Sequence, residues 1–283
     1  MVLESLVTPY TAEKKPWEMI FLGMLFSTVA LFISIQIFES MAGLIAVFLT
    51  VFACVPLFYN TMKFEEEKDL LPVPERTLLK EHAKALTFFM CLFFGVVISF
   101  VAWYVFLPAE LTNKLFEIQI TTIKNINAHS ILGNITSLDL FNKIFFNNIK
   151  VLIFCILFSF FYGSGAIFIL TWNASVVAVA IGTFIKKNLV AAVSNIGLAK
   201  ITGFAGVVSF GFMRYLFHGV PEILAYFIGG LAGGIISVAV IRHDLSSDNF
   251  ERIVFDSADL VLIAVATLLV AAVLEVYVTP VLF

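Results

Sequence analysis

Long apolar runs constrain this chain more than any other feature of its sequence. The first two cover roughly Met19–Phe38 and Ala42–Tyr59, with a tight turn at Glu39-Ser40 between them. A bilayer core of about 30 Å needs about 20 helical residues to cross it. Hydrophobic residues make up 61% of the 283 positions and charged residues only 13%, whereas soluble domains carry about 25% charged residues. The chain is therefore predicted to be a multi-pass membrane protein.

The expected fold is an all-α polytopic transmembrane helical bundle with about six or seven spans. Further spans are predicted at roughly Leu86–Leu107, Ile149–Thr171, Gly219–Ile241 and Ser257–Val278. Between them lies Ala174–Ile185, an apolar piece shorter than the about 17 residues that a spanning helix needs. This piece predicts a broken or re-entrant helix in the second half of the chain.

Basic residues set the predicted orientation. Lys14 and Lys15 precede the first span, and more lysines follow the first hairpin. The positive-inside rule places both segments on the cytoplasmic side of a cell membrane. One further net crossing is expected between Asn173 and His218, and counting it with the six spans puts the C-terminus outside. The predicted order is a cytoplasmic N-terminus at 1–18, a transmembrane hairpin at 19–60, a charged cytoplasmic linker at 61–85, a transmembrane helix at 86–107, an extracytoplasmic loop at 108–148 and a transmembrane core at 149–283.

Two of these segments carry further expectations. Mixed charges and two prolines predict that the linker at 61–85 is solvated. Asn134 opens an N-glycosylation pattern, which supports an outside position for the loop at 108–148. A second such pattern begins at Asn173, at a predicted membrane boundary, and is expected to stay unmodified.

Ionisable residues within apolar runs mark the candidate site, because a charge in hydrocarbon is costly and usually faces the protein interior. Gly219 and Pro221 predict a helix break near His218, which would place Glu222 at a helix N-terminus. The topology then brings several polar side chains into one cluster near the outer leaflet. The predicted cluster comprises Asn147, Asn148, Arg214, His218, Gly219, Pro221, Glu222 and Glu275. Asn173 and Lys200 are the polar residues expected on the inner side.

Two interpretations of this cluster remain open. In the first, it forms a cleft that binds an ion, a lipid headgroup or a segment of a partner. In the second, Arg214 and Glu222 pair, the asparagines cap broken helices, and the cluster only holds the bundle together.

Other classes of function find little support. The net charge of −3 and the lack of a basic stripe argue against a nucleic-acid partner. Cys54, Cys91 and Cys155 lie in apolar runs without the spacing of a disulfide framework or a zinc site. His218 and Glu222 alone are too few ligands for a metal centre. We therefore expect no metal, no cofactor and no catalytic role.

Short motifs of the second half occur in a recognisable order. They are Phe141-Asn142, Asn147-Asn148, Gly163-Ser164-Gly165, Asn173, and His218-Gly219-Val220-Pro221-Glu222 followed by Ala225. Together they resemble the stage II sporulation protein M family of membrane proteins, over roughly Leu140 to the C-terminus. Phe217 departs from the family pattern, which has proline before the histidine.

The resemblance implies a non-catalytic integral membrane component. In spore formers such a protein belongs to an assembly that remodels the cell envelope together with wall-degrading partners. Our first hypothesis is thus a scaffold in the lipid bilayer, expected as a homodimer, that recruits membrane or envelope partners. The second is an ion or small-solute transporter that uses Arg214, His218 and Glu222. The third is a membrane-embedded enzyme with His218 and Glu222 as acid and base.

Overall fold

The computed structural model describes residues 7–38, 41–70, 74–130, 136–193, 198–242, 245 and 247–282. Within these residues, seven helices are long and apolar enough to cross a membrane, and no β-strand occurs. The prediction of an all-α polytopic bundle is therefore confirmed.

The helices follow one another with short connections. They are α1 (Pro9–Lys14), α2 (Glu18–Ile37), α3 (Ala42–Asp69), α4 (Glu75–Phe106), α5 (Ala109–Leu115), α6 (Glu117–Ser130), α7 (Ser137–Tyr162), α8 (Ala166–Val193), α9 (Leu198–Arg242), α10 (Asp248–Val273) and, after a π-helical turn at Leu274–Val278, α11 (Thr279–Leu282). The membrane-crossing set consists of α2, α3, α4, α7, α8, α9 and α10 with its extension.

Three phenylalanine rings mark the centre of the bundle, one each from α3, α4 and α9. The ring centroids of Phe58 and Phe89 are 4.0 Å apart, and those of Phe89 and Phe227 are 5.6 Å apart. All three side chains are buried. Stacked aromatic pairs add attraction beyond the area they bury. This stack joins the first half of the chain to the second.

Glycines let several helices approach until backbone meets backbone. A Cβ atom on Gly23 of α2 would overlap the Leu92 carbonyl oxygen of α4, and one on Gly95 of α4 would overlap the Ile20 carbonyl oxygen of α2. The same close approach joins α7 to α9. Small residues at such crossings allow the van der Waals packing that associates helices in lipid. The bundle is therefore tightly packed along both pairs.

The span predicted at Ile149–Thr171 is wrong, because the chain turns at Gly163. Helix α7 ends at Tyr162, and α8 begins at Ala166. Among the described residues, Gly163 alone has a positive φ, of 67°. A residue without a Cβ atom adopts that conformation without a steric penalty. The Gly163-Ser164-Gly165 run, interpreted above as packing inside one span, is the connection between two.

Replacing Gly163 with alanine is expected to destabilise the protein by about 2 kcal/mol, since an L-residue at this φ is strained. The added Cβ atom would also lie 3.3 Å from the Tyr59 ring. Chemical unfolding of the detergent-solubilised protein measures the decrease in the free energy of unfolding. Gly219→Ala is the matched control, because a Cβ atom there meets nothing within 4 Å. Equal stabilities of the two variants would contradict the assigned turn.

The helix break predicted near His218-Gly219 does not occur. Helix α9 runs without interruption for 45 residues, with Pro221 inside it. At about 1.5 Å per residue, α9 is about 68 Å long, more than twice the hydrocarbon thickness of a bilayer. Packing against α7, α8 and α10 supports the helix around the proline. The Ala174–Ile185 piece, predicted as re-entrant, is likewise the middle of the continuous helix α8.

The charged segment at 61–85, predicted as a solvated linker, is mostly helical. Helix α3 continues to Asp69, and α4 begins at Glu75. Glu65 and Glu66 are completely buried. The physical reason is that ion pairs with other helices, described below, replace the water that these carboxylates would lose.

The segment at 108–148, predicted as a polar loop, contains α5, α6 and the start of α7. A reciprocal pair of hydrogen bonds between Thr136 and Asp139 caps α7, so that this helix begins well before its apolar part. Gln119 of α6 is completely buried, and its Nε2 donates to the Ser175 hydroxyl of α8 at 3.3 Å. The segment therefore packs onto the bundle.

Candidate functional site

A polar cluster lies where α9 meets the end of α10. On α9, the Tyr226 hydroxyl donates to Glu222 Oε1 at 2.8 Å. One turn before Glu222, His218 Nδ1 lies 3.3 Å from the Thr279 hydroxyl of α11. Glu222 and Tyr226, like His218 and Glu222, are four residues apart and share one face of the continuous helix. We refer to His218, Glu222, Tyr226, Glu275 and Thr279 as the intramembrane cluster.

The second acidic residue of the cluster sits in distorted helix. Glu275 belongs to the π-helical turn at Leu274–Val278, and the Thr279 hydroxyl donates to the Leu274 carbonyl at 2.9 Å. Single π-helical turns inside α-helices frequently occur at functional sites. This turn packs against α9, the helix that carries Glu222. The cluster thus places two acidic groups and one histidine together.

Asn148 lies beside this cluster on α7. Leu152 packs on Gly229, and Ile156 packs on Gly233, so α7 and α9 run in parallel with a constant register. The same register places Asn148 level with Ala225, about one turn from Glu222. Asn148 is 5% exposed, and its Nδ2 atom has no hydrogen-bond partner within the described residues. A buried amide without a partner is costly, which is unusual away from functional sites.

Two residues of the predicted cluster lie outside it. Arg214 is exposed, and its guanidinium carbon lies 5.9 Å from the centre of the Phe184 ring. It makes no ion pair with Glu222, because eight residues of continuous helix separate the two by about 12 Å. Asn147 is exposed on α7. The structure therefore brings His218, Glu222 and Glu275 together, and leaves Arg214 and Asn147 apart.

The remaining predicted positions have simpler surroundings. Gly219 and Pro221 are helical residues of α9. Asn173 Nδ2 donates to the Ile169 carbonyl at 3.0 Å, one turn back in α8. Lys200 lies in the first turn of α9, and its side chain is outside the described residues, as is Asn134.

Tyr226 and Thr279 are cluster residues that the sequence reasoning missed. The signal for Tyr226 was available, since it lies four residues after Glu222 and would share its helix face. Thr279 had no such signal, because its contact with His218 spans 61 positions of the chain.

A second group of charges is buried near one end of the bundle. Lys68 of α3 places its Nζ atom 2.6 Å from Glu13 Oε1 of α1 and 2.8 Å from Glu65 Oε1 of α3. The Lys68 side chain is 8% exposed, and that of Glu65 is 0% exposed. Burial raises the pKa of the Glu13 carboxyl above its ordinary value, although the hydrogen bond from Lys68 opposes that effect. The short helix α1 is thus fastened to α3 by a buried ion pair.

His82 of α4 extends this group. Its Nδ1 atom lies 2.7 Å from Glu65 Oε2, and its Nε2 atom lies 2.9 Å from Asp69 Oδ1. His82 Nε2 and Asp69 Oδ1 are close enough for an ion pair, but the angles between them are unfavourable for a hydrogen bond. A carboxylate beside each ring nitrogen favours the doubly protonated imidazolium, in which both nitrogens carry a proton. We refer to Glu13, Glu65, Lys68, Asp69 and His82 as the buried ionic network.

An adjacent ion pair connects the same end of α3 to α9. Arg242 Nη1 lies 2.9 Å from Glu66 Oε2 and 3.0 Å from Glu67 Oε1. Glu66 is completely buried, whereas Glu67 is exposed. We call this end of the bundle, where α1, the end of α3, the start of α4 and the end of α9 meet, the charged end.

The sequence held a partial signal for the ionic network. Glu65, Lys68 and Asp69 are three and four residues apart, which places them on one face of a helix if α3 extends that far. The partners from α1 and α4 had no local signal. Within the described residues, no group of three or more His, Cys, Asp or Glu side chains has an arrangement that could hold a metal ion.

Comparison with known proteins assigns the family. The family described as stage II sporulation protein M matches residues 88–280, most of the chain. The chain belongs to this family. The match begins within α4 rather than near Leu140, so it is longer than the motifs alone indicated. No curated protein and no solved structure matches the chain.

The two polar groups differ in whether the residues that match this family include them. Asn148 and the whole intramembrane cluster fall inside the matched residues. Every member of the buried ionic network precedes residue 88 and lies outside the match. The network therefore fastens the N-terminal helices, which the stage II sporulation protein M match does not cover, to each other and to α4.

Proposed function

We propose that this protein is a non-catalytic multi-pass membrane scaffold that recruits partners to a membrane or envelope assembly. The observation that carries the proposal is close packing, with helices of both halves held together through glycine contacts and a central aromatic stack. Such a bundle presents fixed surfaces. Family membership supports a role in the membrane, since the stage II sporulation protein M match covers most of the transmembrane bundle.

The small size of the internal cavities supports a scaffold over a transporter. Two cavities border Phe93 near the bundle centre, and each has a volume of about 10 Å³. That volume holds about one water molecule. A transporter uses broken helices around a hydrated site, whereas α8 and α9 are continuous.

We further propose an orientation and an oligomeric state. Positive-inside placement of Lys14, Lys15 and Lys63 puts the charged end in the cytoplasm and the C-terminus outside.

Helix α7 supports a homodimer, because only 22% of the residues in its most apolar stretch are buried within one chain. Exposed aromatic side chains such as Phe154 and Phe161 would then face a second copy or lipid.

A transporter is the second candidate, and the intramembrane cluster is the observation that favours it. Glu222 and Glu275 lie on helical segments that pack together, with Glu275 in a π-helical turn. Nearby, the Asn148 Nδ2 atom has no hydrogen-bond partner among the described residues. Ionisable groups at membrane depth commonly mark ion or proton pathways. The two candidates can be distinguished by ion flux across a membrane, which a transporter carries and a scaffold does not.

We expect purified protein in liposomes to carry no flux of protons, sodium, potassium or chloride above that of empty liposomes. The reason is that α8 and α9 are continuous and that the cavities beside Phe93 are too small to form a hydrated route. Ion-sensitive dyes inside the vesicles measure the flux, with Glu222→Gln as the paired variant and Thr267→Val, at a half-buried position of α10, as the control. A flux that Glu222→Gln abolishes and Thr267→Val preserves would overturn the scaffold and establish the transporter.

A second arm tests recruitment directly. A photo-crosslinking residue replaces the exposed Lys80 at the charged end, and another replaces Phe161 on the apolar face of α7. In native membranes, the scaffold predicts a defined protein adduct from position 80. Adducts to lipid alone from both positions would contradict recruitment, and a self-adduct from position 161 would support the dimer.

A further inference from the structure

A surface groove opens at the charged end between α1 and α3. Its volume is about 300 Å³, which is far larger than the cavities at the bundle centre. It is lined by Thr8, Pro9, Tyr10, Asn60, Lys63, Phe64, Glu67 and Arg242. The walls combine aromatic rings with hydrogen-bond donors, the positive charges of Lys63 and Arg242, and the negative charge of Glu67.

Lysine–tyrosine pairs border this groove. Lys63 Nζ lies 4.3 Å from the centre of the Tyr59 ring, and Lys14 Nζ lies 4.2 Å from that of Tyr10. Neither lysine has a carboxylate partner among the residues that the structure describes, in contrast to Lys68. The positive charge of Lys63 at the groove wall is therefore uncompensated by a direct ion pair.

Arg242 adds further donors to the groove. Its contacts with Glu66 and Glu67 both use Nη1. Its Nε and Nη2 atoms have no partner within the described part of the chain, and a guanidinium has five N–H donors in total. Asn60 supplies an amide at the same groove. The groove thus offers charge-assisted donors from Lys63 and Arg242 to one anion, and the Glu67 carboxylate in the same groove is paired with Arg242.

Exposed aromatic side chains place this groove at the level of the lipid headgroups. Tyr10 and Trp17 are each 57% exposed, Tyr59 is 40% exposed and Tyr162 is 72% exposed. Trp17 and Tyr162 lie at helix ends, Tyr10 lies in α1, and Tyr59 lies within α3, one turn before Lys63. Tryptophan and tyrosine concentrate at the membrane–water interface, and lysine stems extend from it towards headgroups.

We propose that this groove binds the headgroup phosphate of an anionic phospholipid. The phosphate lies between Lys63 and Arg242, the headgroup contacts Asn60 and Tyr10, and the acyl chains follow the apolar surface of α3. The charge of Lys63, which has no carboxylate partner among the described residues, supports this occupant, since anionic lipids attract basic residues at the membrane surface. A lipid held between α1 and α3 would reinforce the contact that Glu13 and Lys68 make beneath it.

Titration with defined lipids tests the proposal on the full-length protein in detergent. Native mass spectrometry measures binding of phosphatidylglycerol, with phosphatidylcholine as the neutral comparison. Phosphatidylglycerol is expected to bind more tightly than phosphatidylcholine, and Lys63→Gln is expected to weaken its binding about fivefold. Lys63→Arg retains the charge and is expected to preserve binding.

Two further variants make the result decisive. Lys84→Gln is the matched control, since it removes the same charge from an exposed lysine that is paired with Glu81. Asn60→Asp adds a negative charge to the groove and is expected to weaken phosphatidylglycerol binding without a change at Lys63. Unchanged thermal unfolding in phosphatidylcholine alone verifies that each variant is folded.

Three results would overturn the assignment. The first is equal phosphatidylglycerol binding by the parent, Lys63→Gln and Asn60→Asp. The second is an equal loss of phosphatidylglycerol binding in Lys63→Gln and Lys84→Gln, which would show that the lipid is attracted to surface charge in general. The third is displacement of the lipid by soluble glycerol phosphate at equal concentration, which would identify a site for free phosphate.

Discussion

Lys68→Met is expected to destabilise the protein by about 3–5 kcal/mol, because it leaves the Glu13 carboxylate buried without its cation and removes one of the two cations beside Glu65. Lys68 lies within 2.8 Å of oxygen atoms of both Glu13 and Glu65, and Glu65 has no solvent exposure. Methionine retains most of the aliphatic packing, so the effect reports the charge. Equilibrium unfolding in mixed micelles, followed by tryptophan fluorescence and circular dichroism, measures the free energy of unfolding.

Lys84→Met is the matched control for this prediction. Lys84 also forms an ion pair, with Glu81 at 2.6 Å, but its side chain is 50% exposed. Surface pairs of this kind contribute at most about 1 kcal/mol. Equal losses for Lys68→Met and Lys84→Met would show that water screens the network and that it does not fasten α1 to the bundle.

Gly233→Ala is expected to cost about 3 kcal/mol, at the upper end of the usual range for overpacking. The new Cβ atom would overlap the Ile156 carbonyl oxygen of α7. A backbone oxygen cannot rotate away as the end of a side chain can, so the two helices must separate. The same unfolding experiment in micelles measures the loss, and crosslinking between α7 and α9 reports the wider spacing.

Gly206→Ala on the same helix provides the comparison. A Cβ atom at Gly206 meets nothing within 4 Å, so alanine is expected to be neutral or to stabilise the helix by up to about 1 kcal/mol. If Gly233→Ala proved as harmless as Gly206→Ala, the close contact of α7 with α9 would not exist in the folded protein.

These variants separate two parts of the molecule. The contact of Gly233 lies inside the residues that match the stage II sporulation protein M family, whereas Lys68 lies outside them. Loss of partner recruitment in Lys68→Met alone would assign that role to the N-terminal helices. Loss in Gly233→Ala alone would assign it to the family core.

The predictions that failed rested on local sequence rules, and the folded structure decided between the alternatives that those rules allowed. The helix break near Pro221 was predicted from local rules, yet packing of α9 against three other helices keeps it continuous. Glycine at 163 was predicted to pack inside a span, and only its positive φ identifies it as a turn. In both cases the local sequence permitted two structures.

The intramembrane cluster was predicted in part for a similar reason. His218 and Glu222 share a helix face by spacing alone, and the order of spans brought Glu275 near them. Arg214 was assigned to the same cluster on a helix expected to break. Because α9 is continuous, Arg214 lies beside Phe184 and remains exposed.

The sequence by itself determined the class of this protein, the existence of its apolar spans and its family, since span length and short motifs are local properties. Only the tertiary structure decided which charges are buried and with what. The pair of Glu13 with Lys68 joins residues 55 positions apart, and that of Arg242 with Glu66 joins residues 176 positions apart. No local pattern encodes such a distance, because helix packing alone brings those side chains together.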